Sequence, residues 1–284
     1  MLWGVKIAAK LMMARLPAGY DFWRKMGLFR HGSMDSVEYG CRIAQQHLRH
    51  RVGRIDDKAF VALELGPGDS LASALVAKSC GVKQIYLVDS GPFATMDMHV
   101  YRAMLGHLRS QAQPDGLQDV QVSSFDEMLR SCGATYLVEG LESLKQIPSG
   151  TVDLLWSHAV LEHVERDCFL ATMQELRRIL SPAGIASHRV DLKDHLGGAL
   201  NNLRFGDEIW ESHLFRHSGF YTNRIRFSEM LKLFGTAGFE VEHLTVNKWQ
   251  ELPTNRNRLH NKFRSLCDEE LLVSGFDVLL RATG

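Results

Sequence analysis

The chain lacks an excess of either charge, with 33 Lys and Arg against 33 Asp and Glu in 284 residues. It has no dense basic run either, so it carries no electrostatic footprint of a nucleic-acid binder. Paired cysteine spacing is missing as well. The five cysteines, Cys41, Cys80, Cys132, Cys168 and Cys267, are scattered and contain no Cys-x-x-Cys. That excludes a zinc knuckle or a disulfide frame and points to free thiols in a reducing cytoplasm. No apolar run reaches about twenty residues, so no transmembrane helix is expected. Lys6, Lys10 and Arg15 interrupt the apolar start, and no small-residue cleavage site follows, which argues against a signal peptide. That start either lies against a membrane surface or packs on the domain as a cap helix. Internal repeats and flexible interdomain linkers are also absent from the sequence.

What is present is a globular composition, 45% hydrophobic, long enough for one large α/β domain with insertions. Thirteen histidines direct attention to proton chemistry. The most informative stretch is Phe60-Val61-Ala62-Leu63-Glu64-Leu65-Gly66-Pro67-Gly68-Asp69-Ser70, an apolar run ending in an acid and a glycine turn. It reads as strand, tight turn and helix start, the entry to a nucleotide site where glycines admit close backbone approach. Leu71 stands where a dinucleotide fingerprint has its third glycine, which weakens a nicotinamide or flavin reading.

Residues 1–55 have helical pattern broken at Pro17-Ala18-Gly19 and near His31, with a helix over 35–51 capped by Asp35 or Ser36. The aromatics Tyr20, Phe22, Trp23 and Phe29 suit core or a pocket wall. His31 and His47 have no partner in sequence and read as structural. A second strand, Gln84 to Val88, ends at Asp89-Ser90, about twenty residues past the glycine turn, where a carboxylate can accept from both ribose hydroxyls. A helix is expected over 94–111, a turn at 113–116, a short strand at 120–122 and a helix over 125–132. A strand over 134–138 then ends at Glu139, with Gly140, Leu141 and Glu142 as candidate walls for an adenine base.

The run Thr151-Val152-Asp153-Leu154-Leu155-Trp156-Ser157-His158-Ala159-Val160-Leu161-Glu162-His163-Val164 carries a strand from Val152 to Trp156 with a turn or short helix from Ser157. Together with Glu64-x-Gly66-x-Gly68, Asp89 and Leu180-Ser181-Pro182-Ala183-Gly184, it resembles the methyltransferase type 11 family of class I S-adenosylmethionine-dependent methyltransferases. The resemblance covers roughly residues 60–190. It implies a Rossmann-like, doubly wound α/β fold with a seven-stranded sheet whose last strand is antiparallel. It also implies S-adenosyl-L-methionine as cofactor, with Glu64 near its amino-acid part, Gly66 and Gly68 beneath it, and Ser157 and His158 beside the methionine.

The acceptor should lie beyond the fourth and fifth strands, because ligands bind at the carboxyl ends of parallel strands. There the chain reads His188-Arg189-Val190-Asp191-Leu192-Lys193-Asp194-His195. If a helical turn follows the strand, Asp191 and His195 share a face and the carboxylate orients the imidazole. His195 is then the expected base, Asp191 its orienting partner, and His188 and His158 the alternates. Asp191, Asp194 and His195 could also ligate a divalent ion, but nothing in sequence supplies a third fixed ligand, and no metal is expected. Residues 191–226 read as an acceptor-side lid in which Arg224 and Arg226 either hold an anionic acceptor or pin the lid through salt bridges. A helix over 227–237, a strand over 239–246, a second insertion over 247–272 with a helix from Leu259, and a final strand over 276–282 complete the chain.

The reading is an N-terminal helical cap over 1–55 and a methyltransferase domain over 56–284. It implies a cytoplasmic enzyme that O-methylates a polar small molecule with histidine-assisted deprotonation. General similarity to glycan-cluster methyltransferases implies a sugar or glycan precursor. Methylation at nitrogen, carbon or a carboxylate, and a non-catalytic cofactor-binding or scaffolding role, remain open.

Overall fold

The computed structural model describes residues 36–51, 60–111 and 116–283. Most of the expected cap, with its aromatic cluster, His31, the Asp35 cap and the membrane-surface segment, lies outside the described residues, as does most of the 113–116 turn. Seven strands form one sheet: β1 (Val61–Leu65), β2 (Gln84–Val88), β3 (Ala134–Leu137), β4 (Val152–His158), β5 (Leu180–Asp191), β6 (Phe239–Lys248) and β7 (Val273–Ala282). Their order across the sheet is β3-β2-β1-β4-β5-β7-β6. The first five are parallel, and β7 runs antiparallel between β5 and β6. This is the doubly wound, Rossmann-like arrangement expected. Among the described residues no helix is long and apolar enough to cross a membrane.

Alternation along the strands divides the core in two. Ala62, Ile85, Leu87, Leu154, Trp156 and Ile185 face a layer containing α1 (Val37–Leu48), α2 (Ser73–Ser79), α3 (Met98–Ser110) and α4 (Phe125–Cys132). Leu63, Leu65, Leu155, Ala186 and Val278 face α5 (Leu141–Lys145), α6 (Arg166–Ile179) and α7 (Phe227–Thr236). Central strands buried on both faces need continuous apolar runs, which is what β1 and β4 supply.

Asp153 has a structural role: Oδ2 accepts from the Val61 N–H at 3.0 Å and Oδ1 from Ser181 Oγ at 3.0 Å, tying the starts of β1, β4 and β5 together. Helix α6 passes into β5 without a loop, and the β4–β5 register shifts between Val152 and Leu154. Gly184 permits that crowding, since a Cβ there would lie 2.9 Å from the Val152 carbonyl.

Three local expectations are corrected. Residues 120–122 form no strand; the Leu117 and Val120 carbonyls accept from Arg109 and the Gln121 backbone bonds to Ser131, so side chains replace the ladder. Strand β4 continues through His158 instead of turning at Ser157, because Ser157 and His158 pair with His188 and Arg189 of β5. The helix expected from Leu259 to Leu272 is broken into two single turns, Asn261–Arg264 and Asp268–Leu271, preceded by a 3₁₀ turn, Arg256–Arg258. The two insertions share apolar packing: Leu200 and Leu203 of the first meet Leu259, Phe263 and Leu271 of the second.

Candidate active site

The glycine turn after β1 is built by backbone geometry. Gly66 and Gly68 have φ of +72° and +69°, where a side chain is strained. The Gly66 N–H donates to the Val88 carbonyl at 2.7 Å, and the Gly68 N–H to Asp89 Oδ2 at 3.0 Å. The second carboxylate oxygen, Oδ1, accepts from the Ser90 N–H at 2.8 Å. From the end of β3, the Gly140 N–H donates to the Asp89 carbonyl at 2.8 Å, and a Cβ on Gly140 would lie 3.8 Å from Ser90 Cα. The ends of β1, β2 and β3 therefore place Gly66, Gly68, Asp89, Ser90 and Gly140 together, a backbone cradle beside one carboxylate. Leu141 follows at the start of α5. The Glu142 side chain turns outward to Lys145 at 2.6 Å, so its carboxylate is a surface ion pair and not an adenine wall.

Glu64 sits beneath this turn, 2% exposed. Its Oε1 accepts from Trp156 Nε1 at 3.1 Å and its Oε2 from Ser73 Oγ. Burial pushes its carboxyl up to about 7, against the lowering effect of the Ser73 and Trp156 hydrogen bonds. Glu64 thus braces α2 against β4, and its expected contact with the cofactor's amino-acid part is replaced by support from below.

Ser157 and His188, adjacent on β4 and β5, are both buried and linked at 2.8 Å between Ser157 Oγ and His188 Nδ1. The His188 ring stacks on Phe234 of α7, with 6.4 Å between centroids. Burial drives its pKa down to about 3. A ring enclosed in the core cannot reach an acceptor, which removes His188 as an alternate base, and Ser157 is enclosed with it. On the other face, His47 of α1 links Ser187 through Nδ1 at 2.8 Å and His158 through Nε2 at 3.3 Å, and stacks on Trp156. Burial, with the neighbouring His158 and His188, lowers the His47 pKa; burial and Arg189 lower that of His158. His158 is therefore the end of a packed histidine pair, and His47 is its structural partner.

Beyond the ends of β4 and β5 a second cluster forms. One ligand-capable atom each of Glu162, His163 and His195 lies within 4.8 Å of the others, with Glu162 buried and both histidines exposed. The His163 and His195 rings meet edge to face at 4.7 Å. Glu162 Oε1 accepts from the Asp191 N–H at 3.3 Å, while Oε2 is buried with no hydrogen-bond partner among the described residues. Burial raises the Glu162 carboxyl to about 8, the Asp191 charge adds to this, and the Glu162 and Asp191 backbone N–H groups oppose it.

Asp191 does not orient His195 as expected. The residues after β5 form no helix, and the Asp191 carboxylate is held by the Lys193 N–H at 2.9 Å and Lys193 Nζ at 3.4 Å. Asp194 is buried and accepts four N–H donors, from Leu196, Gly197 and twice from Asn201, so it is a turn brace and not a metal ligand.

The lid holds this cluster from outside. Asn223 Nδ2 donates to the Leu161 and Val164 carbonyls at 2.8 and 2.9 Å, and its N–H donates to the Glu162 carbonyl at 2.8 Å. His163 Nδ1–H donates to the Tyr221 carbonyl at 2.9 Å. Trp210, Phe215, Phe220 and Tyr221 form the lid's own core rather than an open wall. Arg226 is buried and donates to the Leu192, Glu270, Leu271 and Val273 carbonyls; Arg224 pairs with Asp207 and Glu211. Both arginines pin the lid, and the anion-holding alternative is set aside because both side chains are buried and their terminal Nη groups bond to protein acceptors.

Val160 joins the cradle to the segment that carries Glu162 and His163. Val160 caps the glycine turn so closely that a Cβ on Gly66 would lie 2.5 Å from Val160 Cγ2. Ala159, just before it, has a positive φ of +54°, which turns the chain off β4 toward Glu162. Sequence reasoning missed Glu162 and read His47 as structural, which is the role its contacts with Ser187, His158 and Trp156 give it. Glu162 was visible only as part of Leu-Glu-His-Val, and its significance comes from being buried beside Asp191, 29 residues away.

Residues 63–187 match the methyltransferase domain family Methyltransf_11. No curated protein matches the sequence. Among solved structures, a SAM-dependent methyltransferase from Archaeoglobus fulgidus is similar at 11% identity and TM-score 0.47, covering 92% of this chain and 98% of that one. A methyltransferase from Haloferax volcanii, in complex with the Trm112 methyltransferase activator, shares 15% identity at TM-score 0.47, covering 89% and 97%. An N-methyltransferase from Haemonchus contortus, in complex with phosphomonomethylethanolamine and S-adenosylhomocysteine, shares 12% identity at TM-score 0.45, covering 85% and 53%.

Proposed function

We propose, from the match of residues 63–187 to a methyltransferase domain family, that the chain is a class I S-adenosylmethionine-dependent methyltransferase that O-methylates a polar small molecule of the sugar or glycan-precursor class, with histidine-assisted deprotonation. The observation that supports this reading is the convergence of Glu162, His163 and His195 beyond β4 and β5, on a segment whose Val160 packs against the glycine turn. The donor supplies an activated methyl group, so the protein must hold the acceptor in line and remove its proton. When bound, S-adenosylmethionine would supply the methyl carbon to the acceptor oxygen, the C–S electron pair staying on sulfur, and the acceptor's proton would leave to solvent with the assistance of His195.

Gly66, Gly68, Asp89, Ser90, Gly140 and Leu141 would hold the nucleoside end. The fit rests on two positive-φ glycines and a carboxylate already oriented by backbone donors. His195, exposed at the lip and packed on His163, assists deprotonation. We place the enzyme in the cytoplasm, in keeping with its five free cysteines.

The test is transfer of labelled methyl to a panel of hydroxyl, amine, carboxylate and carbon acceptors. A His195→Ala variant should lose roughly 10²-fold or more in kcat with S-adenosylhomocysteine affinity unchanged. Full turnover of that variant at neutral pH would overturn assisted deprotonation and redirect the reading to nitrogen, carbon or carboxylate acceptors.

A further inference from the structure

We propose that Glu162, His163 and His195 bind a divalent first-row transition-metal ion, and that the assistance given to the acceptor passes through it. The site itself stands independently of the acceptor class; only its catalytic role rests on the O-methylation reading. Three observations carry it. One ligand-capable atom of each residue lies within 4.8 Å of the others. Ligands on one ion of this class are separated by roughly 3 to 3.4 Å, so small rotations of two exposed imidazoles close the set. Second, Glu162 is 2% exposed, yet Oε2 has no hydrogen-bond partner among the described residues. A buried carboxylate oxygen without a donor is costly unless a positive group satisfies it. Third, His163 donates through Nδ1–H to the Tyr221 carbonyl at 2.9 Å. That fixes the tautomer whose Nε2 carries the lone pair, which is how histidine ligands of metals are commonly oriented.

The remaining supports are rigid. Asn223 grips the Leu161 and Val164 carbonyls on either side of Glu162 and His163, and the Asp191 N–H holds the other Glu162 oxygen. Two imidazoles and one carboxylate suit zinc, manganese, iron or cobalt and disfavour magnesium and calcium, which prefer all-oxygen sets. Three protein ligands leave coordination positions open, the pattern of an ion that also takes a substrate oxygen. A hydroxyl bound there loses its proton more readily, and the proton leaves to solvent at the exposed lip.

Calorimetric titration of chelator-stripped full-length protein with Zn²⁺, Mn²⁺ and Mg²⁺, without methyl donor, reads the site apart from turnover. Thirteen histidines make adventitious binding a real rival, and His213 and His217 stack at 4.3 Å on the lid surface. The expected result is one equivalent of Zn²⁺ or Mn²⁺ in the wild type, binding weakened at least 10-fold by Glu162→Gln and by His195→Ala, no change in His217→Ala, and no Mg²⁺ binding. His195 is exposed, so its variant should fold, which S-adenosylhomocysteine binding confirms. Absence of a stoichiometric site in the wild type, indifference to both Glu162→Gln and His195→Ala, or loss in His217→Ala would overturn the site. None of these outcomes would by itself overturn O-methylation, which the acceptor panel decides separately.

Discussion

The Asp89 carboxylate accepts a 3.0 Å hydrogen bond from the Gly68 N–H, joining the end of β2 to the turn after β1 across 21 residues. The acid is thereby aimed before any ligand arrives, since its other oxygen is fixed by the Ser90 N–H at 2.8 Å.

Replacing Asp89 by Ala should therefore weaken S-adenosylmethionine binding by roughly 10- to 100-fold, the worth of hydrogen bonds to a charged acceptor. Titration calorimetry with S-adenosylhomocysteine measures it. Unchanged affinity would remove Asp89 from the cofactor site.

Gly66→Ala meets two separate obstacles: a φ of +72° and a Cβ 2.5 Å from Val160 Cγ2. The backbone term costs roughly 1–2 kcal/mol, and the clash adds to it. In a double-mutant cycle, Val160→Ala should recover the clash and leave the backbone cost, giving a coupling on the order of 1 kcal/mol in urea unfolding. Strict additivity would show that Val160 yields freely.

The contribution of the buried neutral His188 to stability should fall on acidification, against the opposite trend set by Glu64 and Glu162, whose raised carboxyls favour the folded state at lower pH. His188 has a folded pKa of about 3 against an ordinary value of 6.5. Between those values the unfolded chain binds a proton that the native state refuses. This contribution to the unfolding free energy therefore rises with pH across the window, by up to about 1.4 kcal/mol per pH unit for one group. The contribution is complete above 6.5 and is lost as pH falls through it. His188→Asn keeps a polar group toward Ser157 but cannot titrate, so its urea midpoint should gain less with rising pH than that of the wild type between about pH 4 and 6.5. Parallel profiles for wild type and variant would refute the assignment.

Local chemistry made some elements legible. Helix α4 was readable to the residue: Ser124 accepts from the Glu127 N–H at 3.2 Å as its cap, and Gly133 closes it at a φ of +64°. The strands β1, β2 and β4 and the glycine turn were readable for the same reason. Side-chain partners across the sheet were not. Strand β1 is buried on both faces, so alternation could not say that Glu64 points down at Trp156 instead of up at a ligand. His47 appeared partnerless because Ser187 and His158 lie 140 and 111 residues away. The expected Asp191–His195 pairing assumed a helical turn, which the Asp194 brace with Asn201 prevents.

The position of β7 also sets the order in which the enzyme can assemble. Strand β5 borders the proposed acceptor wall, and its second neighbour comes from far along the chain: Arg189 meets Asp277 across 88 residues, and the Leu192 N–H meets the Ser274 carbonyl. Arg226 then clasps the carbonyls of Leu192 and of the segment entering β7. During synthesis β1 to β5 emerge first, with β5 left as a bare sheet edge, a surface open to wrong pairing. On the proposed assignment the cofactor cradle is built from the ends of β1, β2 and β3, so donor binding would mature before acceptor chemistry does. On that assignment, until Val273–Ala282 is made the growing chain would have the parts to hold a methyl donor but no completed acceptor wall.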